Sequence, residues 1–361
     1  MNVTIACGGT GGHLFPGIAV AEALISRGHK ILLLISEKQI DAVAVRDRRE
    51  FQIEKIPAVG APRLLSTQVF PFATKFLKGL NVCRKIYRSF APRAVLGMGG
   101  FTSTAPILAG RMAGVSAFIH ESNAIPGKAN LLNARLCNKV LIGFAECARY
   151  FPKSAMEVTG TPIRSSLRAP VDRKIALQNL GLDSDLKTVL VMGGSQGAHG
   201  INEAVIASLP RFDGKRVQFI HLTGKKDEQS VAQSYRNAGI SAFVSAFYYR
   251  MEEVYSVADV AIARSGAATL TELSYFDLPA ILIPYPFASE NHQLLNAEIF
   301  AKNSVAEVLE ESRVKGDALG SLIEQLLKDG VRMISPKDRP HALGPGIAAN
   351  RIAEIIERSC K

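Results

Sequence analysis

VTIACGGTGGHLFPGIAVAEALISRG, residues Val3–Gly28, is the stretch that decides the fold. Val3–Cys7 is short and apolar, as a buried strand should be. GGTGG at Gly8–Gly12 is a turn, and Ile18–Leu24 repeats apolar side chains at helical spacing until Gly28 stops the run. Strand, glycine turn and helix together make the opening unit of a doubly wound sheet. The same grammar returns 185 positions later: Thr188–Met192 reads as a strand, GGSQG at Gly193–Gly197 as its turn, and Ile201–Leu209 as its helix. Two more units follow the pattern, Ala94–Leu96 entering GMGG at Gly97–Gly100 and Val257–Ala263 entering RSGAATLTE at Arg264–Glu272. Such alternation predicts α/β architecture with parallel sheets covered on both faces.

A chain of 361 residues, 47% hydrophobic, is long enough for two such domains. The boundary is expected near Thr159–Arg164, ahead of the polar stretch Ser165–Asp185, which gives domains at 1–162 and 163–340. Residues 341–361 carry a last helix, Ile347–Arg358, behind the Pro- and Gly-rich segment Pro336–Pro345. Either domain is available to it, the N-terminal one included.

The five cysteines (Cys7, Cys83, Cys137, Cys147, Cys360) are odd in number and form no CxxC pair, which argues against a disulfide framework or a zinc site and for a reducing cytoplasm. No signal peptide is expected, because Met1 runs straight into the first strand and its glycines. Apolar runs such as Ile31–Ile35 and Leu278–Ile283 are strand-length, so membrane contact is expected to be peripheral. Net charge is +11, and from Lys55 through His120 no Asp or Glu occurs while nine Lys or Arg do, Lys55 included. Nucleic acid, anionic lipid or an anionic substrate would each suit that surface.

Glycines at the carboxyl end of a strand let backbone N–H groups approach phosphate oxygens, and the following helix turns its positive end to the same anion. A diphosphate is the expected ligand. The loops match neither GxxxxGK[ST] nor a GxGxxG with an acidic residue about 20 positions on, which disfavours kinase and dehydrogenase chemistry.

GGTGGHLFPGIAVAEAL (Gly8–Leu24), GMGGF with a following Ser and Pro (Gly97–Pro106), HESNAIPG (His120–Gly127), GTPIR (Gly160–Arg164), GGSQGA (Gly193–Ala198), ARSGAATLTEL (Ala263–Leu273) and NHQLLNA (Asn291–Ala297) resemble, in order, the motifs of the MurG glycosyltransferases. The resemblance covers about residues 1 to 310. It implies two doubly wound Rossmann-like domains facing a cleft, the glycosyltransferase B fold, with the acceptor on the N-terminal domain and in the cleft, and the donor on the C-terminal one. The implied reaction is inverting transfer of N-acetylglucosamine from UDP-GlcNAc to the 4-hydroxyl of the muramic acid residue of lipid I, giving lipid II. It would run at the cytoplasmic face of the bacterial inner membrane without a cofactor. The implied partners are UDP-GlcNAc, lipid I, an anionic membrane surface and cell-wall synthesis proteins. Departures from the family pattern are FTSTAP in the second loop, HESN for HEQN, GTPIR for GNPVR, and FYYRM at Phe247–Met251 for a FIDDM-like segment.

Carried over residue by residue, the resemblance gives Glu272 the donor ribose, where one carboxylate can accept from both hydroxyls of a vicinal diol. Ser195 and the N–H groups of Gly193–Ala198 take the diphosphate, Gln293 the hydroxyls of the transferred sugar, Tyr248 the uracil, and Asn123 and Arg164 further donor contacts. Thr10, Gly11 and Gly12 of the first loop, and Ala267, Ala268, Thr269, Leu270 and Thr271 of the third motif, complete the expected binding set. For the general base, His13 closes the first glycine loop and is favoured, with His120 and Glu121 as rivals. The DxD at Asp183–Asp185 precedes the strand Thr188–Met192 and so falls at the wrong edge of a doubly wound sheet for ligand; no metal is assigned.

Two readings compete with this one. A related transferase acting on a diacylglycerol or a soluble acceptor would carry the same loops. A basic nucleic-acid-binding protein would explain the charge, but zinc-finger spacing, an RNP1-like string and a recognition-helix motif are missing, so no nucleic-acid partner is expected. Val69–Phe90, in which apolar residues alternate with Lys75, Lys78, Arg84, Lys85 and Arg88, is the expected membrane face; the competing reading is a core helix with a solvated basic side.

Overall fold

The computed structural model describes residues 1–37, 48, 50–57, 69–168, 171–194, 196–302, 306–328 and 347–360. The chain divides into two compact units, Met1–Ser165 together with Leu343–Lys361, and Ser166–Ala342.

In the first unit, β1 (Asn2–Ala6), β2 (Lys30–Ser36), β3 (Gln52–Ile56), β4 (Ala94–Gly97), β5 (Ser116–Glu121), β6 (Lys139–Ile142) and β7 (Met156–Val158) form a parallel sheet in the order β3-β2-β1-β4-β5-β6-β7. In the second, β8 (Lys187–Met192), β9 (Val217–Leu222), β10 (Ala242–Ser245), β11 (Val260–Ala263), β12 (Ala280–Leu282) and β13 (Ala306–Val308) form a parallel sheet in the order β10-β9-β8-β11-β12-β13. Both are doubly wound. Chain direction across the sheet reverses between β1 and β4, and again between β8 and β11. In such sheets the ligand crevice opens at that reversal, beyond the carboxyl ends of the strands. The four segments that the sequence marks with glycine follow these four strands. Ala6 pairs with Gly97 and Met192 with Ala263, so the two loops of each pair leave their sheet at one level.

Strand alternation builds the core. Val3 and Ile5 of β1, Leu33 and Ile35 of β2 and Leu96 of β4 point to one face, while Ala6, Leu32, Leu34 and Val95 point to the other. On the first face lie Leu14, Ile18 and Ala21 of helix Gly11–Ser26, and against them Ala349, Ile352, Ala353 and Ile356 of helix Ile347–Ser359, each set at helical spacing. The last helix is pinned by Glu357, which accepts from Arg27 Nε at 3.0 Å and Nη2 at 2.7 Å and lies 2.7 Å from His29 Nε2. Those partners hold its carboxyl down at about 2.

Helix Gly11–Ser26 begins inside the glycine run, earlier than the apolar repeat at Ile18–Leu24 suggests. Thr10 is extended, and its carbonyl accepts from His13 N and Leu14 N, so Gly11 and Gly12 form the first turn. Helix Val69–Phe90, the expected membrane face, turns part of its apolar side inward. Leu80, Cys83 and Tyr87 lie in the core under β2 and β4, with Phe76, Val82, Ile86 and Phe90 packed against them. Among the described residues, the large apolar side chains of this helix that stay exposed are Phe70 and Leu77, 81% and 57% accessible, beside the exposed basic side chains of Lys75, Lys78, Arg84, Lys85 and Arg88. Among the described residues, no helix is long and apolar enough to cross a membrane.

Candidate active site

In the first unit the site residues gather around His13. Its Nδ1 lies 3.2 Å from Thr10 Oγ1, and its ring rests on the second glycine loop. A Cβ on Gly99, whose φ is +112, would stand 2.8 Å from His13 Nε2, so only glycine lets the loop come this close. Two residues on, Phe15 carries the Arg164 guanidinium 4.3 Å from its ring centre. Thr10 and Gly12 are exposed, and Gly11 and His13 half-buried.

His120 and Glu121 end β5 and are buried, 0% and 4% accessible. His120 Nε2 lies 3.0 Å from Gly160 O and Nδ1 3.3 Å from Ser122 Oγ, and burial lowers its pKa. Glu121 Oε1 accepts from the backbone N–H of Asn123 (2.9 Å) and from Asn123 Nδ2 (3.1 Å); Oε2 accepts from Gly127 N (3.0 Å) and Asn130 Nδ2 (2.9 Å). Both rivals of His13 are thus engaged in building the loop rather than facing outward. Asn130 and Asn133 were not singled out in the sequence. The signal was there, two asparagines three apart, and so on one face, in the short helix Lys128–Asn133.

In the second unit, Gly193–Ala198 joins β8 to helix His199–Ser208; Ser195 lies outside the described residues. Gly197, with φ +76, packs against the loop after β9, where a Cβ would fall on the Thr223 carbonyl oxygen. Ala267, Ala268, Thr269, Leu270, Thr271 and Glu272 occupy the first turns of helix Ala267–Tyr275, with Ala267 and Leu270 buried and Thr271 Oγ1 donating to Ala267 O at 2.9 Å. Glu272 is 9% accessible, and its Oε2 accepts from the Tyr255 hydroxyl at 2.7 Å. Nothing in the sequence marked Tyr255.

Gln293 is brought to the same loop. Ser265 Oγ donates to Gln293 O at 2.7 Å, and Gln293 Oε1 accepts from Tyr285 N at 3.0 Å, which leaves the side-chain amide nitrogen as the donor end. Tyr248 stands apart, after β10 at the sheet edge. Its hydroxyl donates to Glu253 Oε2 at 2.5 Å, and burial and that carboxylate raise its pKa. The Asp183–Asp185 pair lies ahead of β8, at the opposite end of the sheet from the glycine loops, with Asp183 Oδ1 accepting from Asp185 N at 2.8 Å.

Residues 3–142 match the glycosyltransferase family 28 N-terminal domain, and residues 188–358 the family's C-terminal domain. Over the full length of both chains, 37% of positions are identical to the UDP-N-acetylglucosamine--N-acetylmuramyl-(pentapeptide) pyrophosphoryl-undecaprenol N-acetylglucosamine transferase of Halothermothrix orenii. The protein of the same name from Geotalea uraniireducens is 38% identical over 91% of this chain and 90% of its own. The crystal structure of Acinetobacter baumannii MurG superposes with a TM-score of 0.74 at 26% identity, covering 99% of each chain. Two doubly wound sheets of this order, glycine loops at both reversals, and full-length identity agree: the chain belongs to glycosyltransferase family 28, among its MurG-type N-acetylglucosaminyltransferases.

Proposed function

We infer that the chain transfers N-acetylglucosamine from UDP-GlcNAc to the 4-hydroxyl of the muramic acid residue of undecaprenyl-pyrophosphoryl-MurNAc-pentapeptide, lipid I, forming lipid II for peptidoglycan. The observation that carries this reading is full-length identity to transferases of that name, with glycine loops at both sheet reversals. The donor occupies the second unit. Its diphosphate meets the N–H groups of Gly193–Ala198, Ser195 among them, and the positive end of helix His199–Ser208. Its ribose meets Glu272, and the hydroxyls of its sugar meet the amide of Gln293. With the Tyr248 hydroxyl given to Glu253, the uracil is met by backbone and ring atoms of Phe247–Tyr249.

His13 is the general base. It takes the proton of the acceptor hydroxyl as that oxygen bonds to the anomeric carbon; the bond to the diphosphate breaks with inversion, and UDP leaves as an anion stabilised by fixed dipoles. The preference over His120 and Glu121 rests on their saturated hydrogen bonding. The enzyme works peripherally at the cytoplasmic membrane face, with Phe70 and Leu77 entering the headgroup boundary and the surrounding Lys and Arg meeting anionic lipid.

The test is direct: incubate the purified chain with radiolabelled UDP-GlcNAc and a lipid I analogue. A labelled lipid-linked disaccharide is expected. Transfer to diacylglycerol with none to the lipid I analogue would overturn the acceptor assignment.

A further inference from the structure

We propose that Glu121 is a positioning residue of the transfer reaction: it locks the Ser122–Gly127 segment and, through Asn130 and Asn133, the glycine loop on which His13 rests. The proposal rests on the transferase reading above, with His13 as base. A carboxylate offers about four acceptor positions. In Glu121 all four are taken by N–H donors, two from Asn123, one from Gly127 and one from Asn130. A general base must turn a lone pair to the substrate hydroxyl; this one turns its lone pairs to its own loop.

The carboxylate also reaches further. Asn130 Nδ2 donates to Glu121 Oε2 and to His120 O, at 2.9 and 3.0 Å. One turn along helix Lys128–Asn133, Asn133 Nδ2 donates to Ser103 Oγ at 3.2 Å, and Ser103 Oγ donates to Gly100 O at 2.7 Å. Asn130, Asn133 and Ser103 are 2%, 0% and 1% accessible, so water does not compete for these bonds. Gly99 and Gly100 line the His13 ring. Two sets of hydrogen bonds, joined through helix Lys128–Asn133, therefore tie the loop of Asn123 to the seat of His13.

Glutamine at 121 would keep the shape but aim an NH2 group at two N–H donors. Asn133→Ala leaves the four donors of Glu121 in place and cuts the branch to Gly100. The experiment is steady-state transfer to a lipid I analogue across pH for the parent, Glu121→Gln, Asn133→Ala and His13→Ala, each corrected for folded fraction. Glu121→Gln is expected to lower kcat about ten- to a hundredfold, the scale of a misplacement near 1 Å. The acidic limb of its pH profile should stay where the parent has it. Asn133→Ala is expected to lower kcat while leaving donor KM near the parent's, and His13→Ala to lose the limb. Loss of the limb in Glu121→Gln would make Glu121 the base and overturn the proposal. Parent kcat and KM in both variants would overturn it too, reducing these bonds to fold stability. If Glu121→Gln does not fold, the kcat of Asn133→Ala decides alone. No transfer by the parent would overturn the underlying transferase reading, and the proposal with it.

Discussion

The donor assignment would give Glu272 two separable tasks, and two substitutions pull them apart. Its Oε2 accepts from the buried Tyr255 hydroxyl at 2.7 Å, and the donor assignment gives the same carboxylate the ribose diol. A hydrogen bond to a charged group is worth about 1.5–3 kcal/mol, so Glu272→Ala should weaken UDP-GlcNAc and UDP alike by about ten- to a hundredfold. Alanine also takes away the acceptor of Tyr255, 3% accessible, at a cost of about 1–3 kcal/mol. For a unit of this size that lowers Tm by roughly 2–10 °C. Glu272→Gln keeps an acceptor for Tyr255 and loses only the charge. Its Tm should stay near the parent's while donor affinity falls by about 1 kcal/mol, roughly fivefold. Titration calorimetry with both nucleotides, beside thermal unfolding, reads the two tasks independently. Parent-like donor affinity in a folded Glu272→Ala protein would remove this residue from the ribose and leave it as the anchor of Tyr255 alone.

Transfer should persist in excess EDTA, because the diphosphate is assigned to backbone donors and a helix end; complete loss restored by magnesium would reopen the role of Asp183–Asp185. Charge reversal of Lys75, Lys78 and Lys85 together should weaken binding to anionic vesicles by at least about a hundredfold, at about 1 kcal/mol per basic residue, while sparing transfer to a short-chain acceptor; co-sedimentation equal to the parent's would move the membrane face elsewhere. Gly99→Ala, with its Cβ 2.8 Å from His13 Nε2, should lower kcat more than either KM, and an unchanged kcat would detach His13 from the chemistry. Glu357 has a folded pKa of about 2 against an ordinary 4.5, so its contribution is complete above pH 4.5 and fades as pH falls from there toward 2. Glu357→Gln should accordingly lower Tm at pH 6 and match the parent near pH 2; equal Tm at both would show that the pair with Arg27 and His29 adds nothing.

The α/β class and the four strand-to-helix loops were legible because each rests on local grammar, glycine after an apolar strand and before an apolar helix. What local grammar does not carry is which face a long helix turns inward. In Val69–Phe90 the apolar residues cover more than one side, so the sequence could not separate Leu80 and Tyr87, which enter the core, from Phe70 and Leu77, which stay outside. The same limit applies to the site. His13 could be named from its place in the loop, but the engagement of Glu121 depends on Asn130, nine residues on and reachable only after the chain folds back. The last helix posed a still longer-range question, its partner stripe lying at Leu14–Ala21.

That helix has a bearing on how the protein is made. The first unit is built from two distant stretches of the chain, so a ribosome that has released residues 1–165 has delivered helix Gly11–Ser26 with an apolar stripe still uncovered. At about 5–20 residues per second, the closing segment follows roughly 10–40 s later, after the whole second unit has emerged. During that interval Ile18 and its neighbours are open to chaperones or to other nascent chains. The N-terminal unit expressed alone would carry the same open stripe for its lifetime, whereas a circular permutant that places residues 347–360 ahead of Met1 would close it from the start.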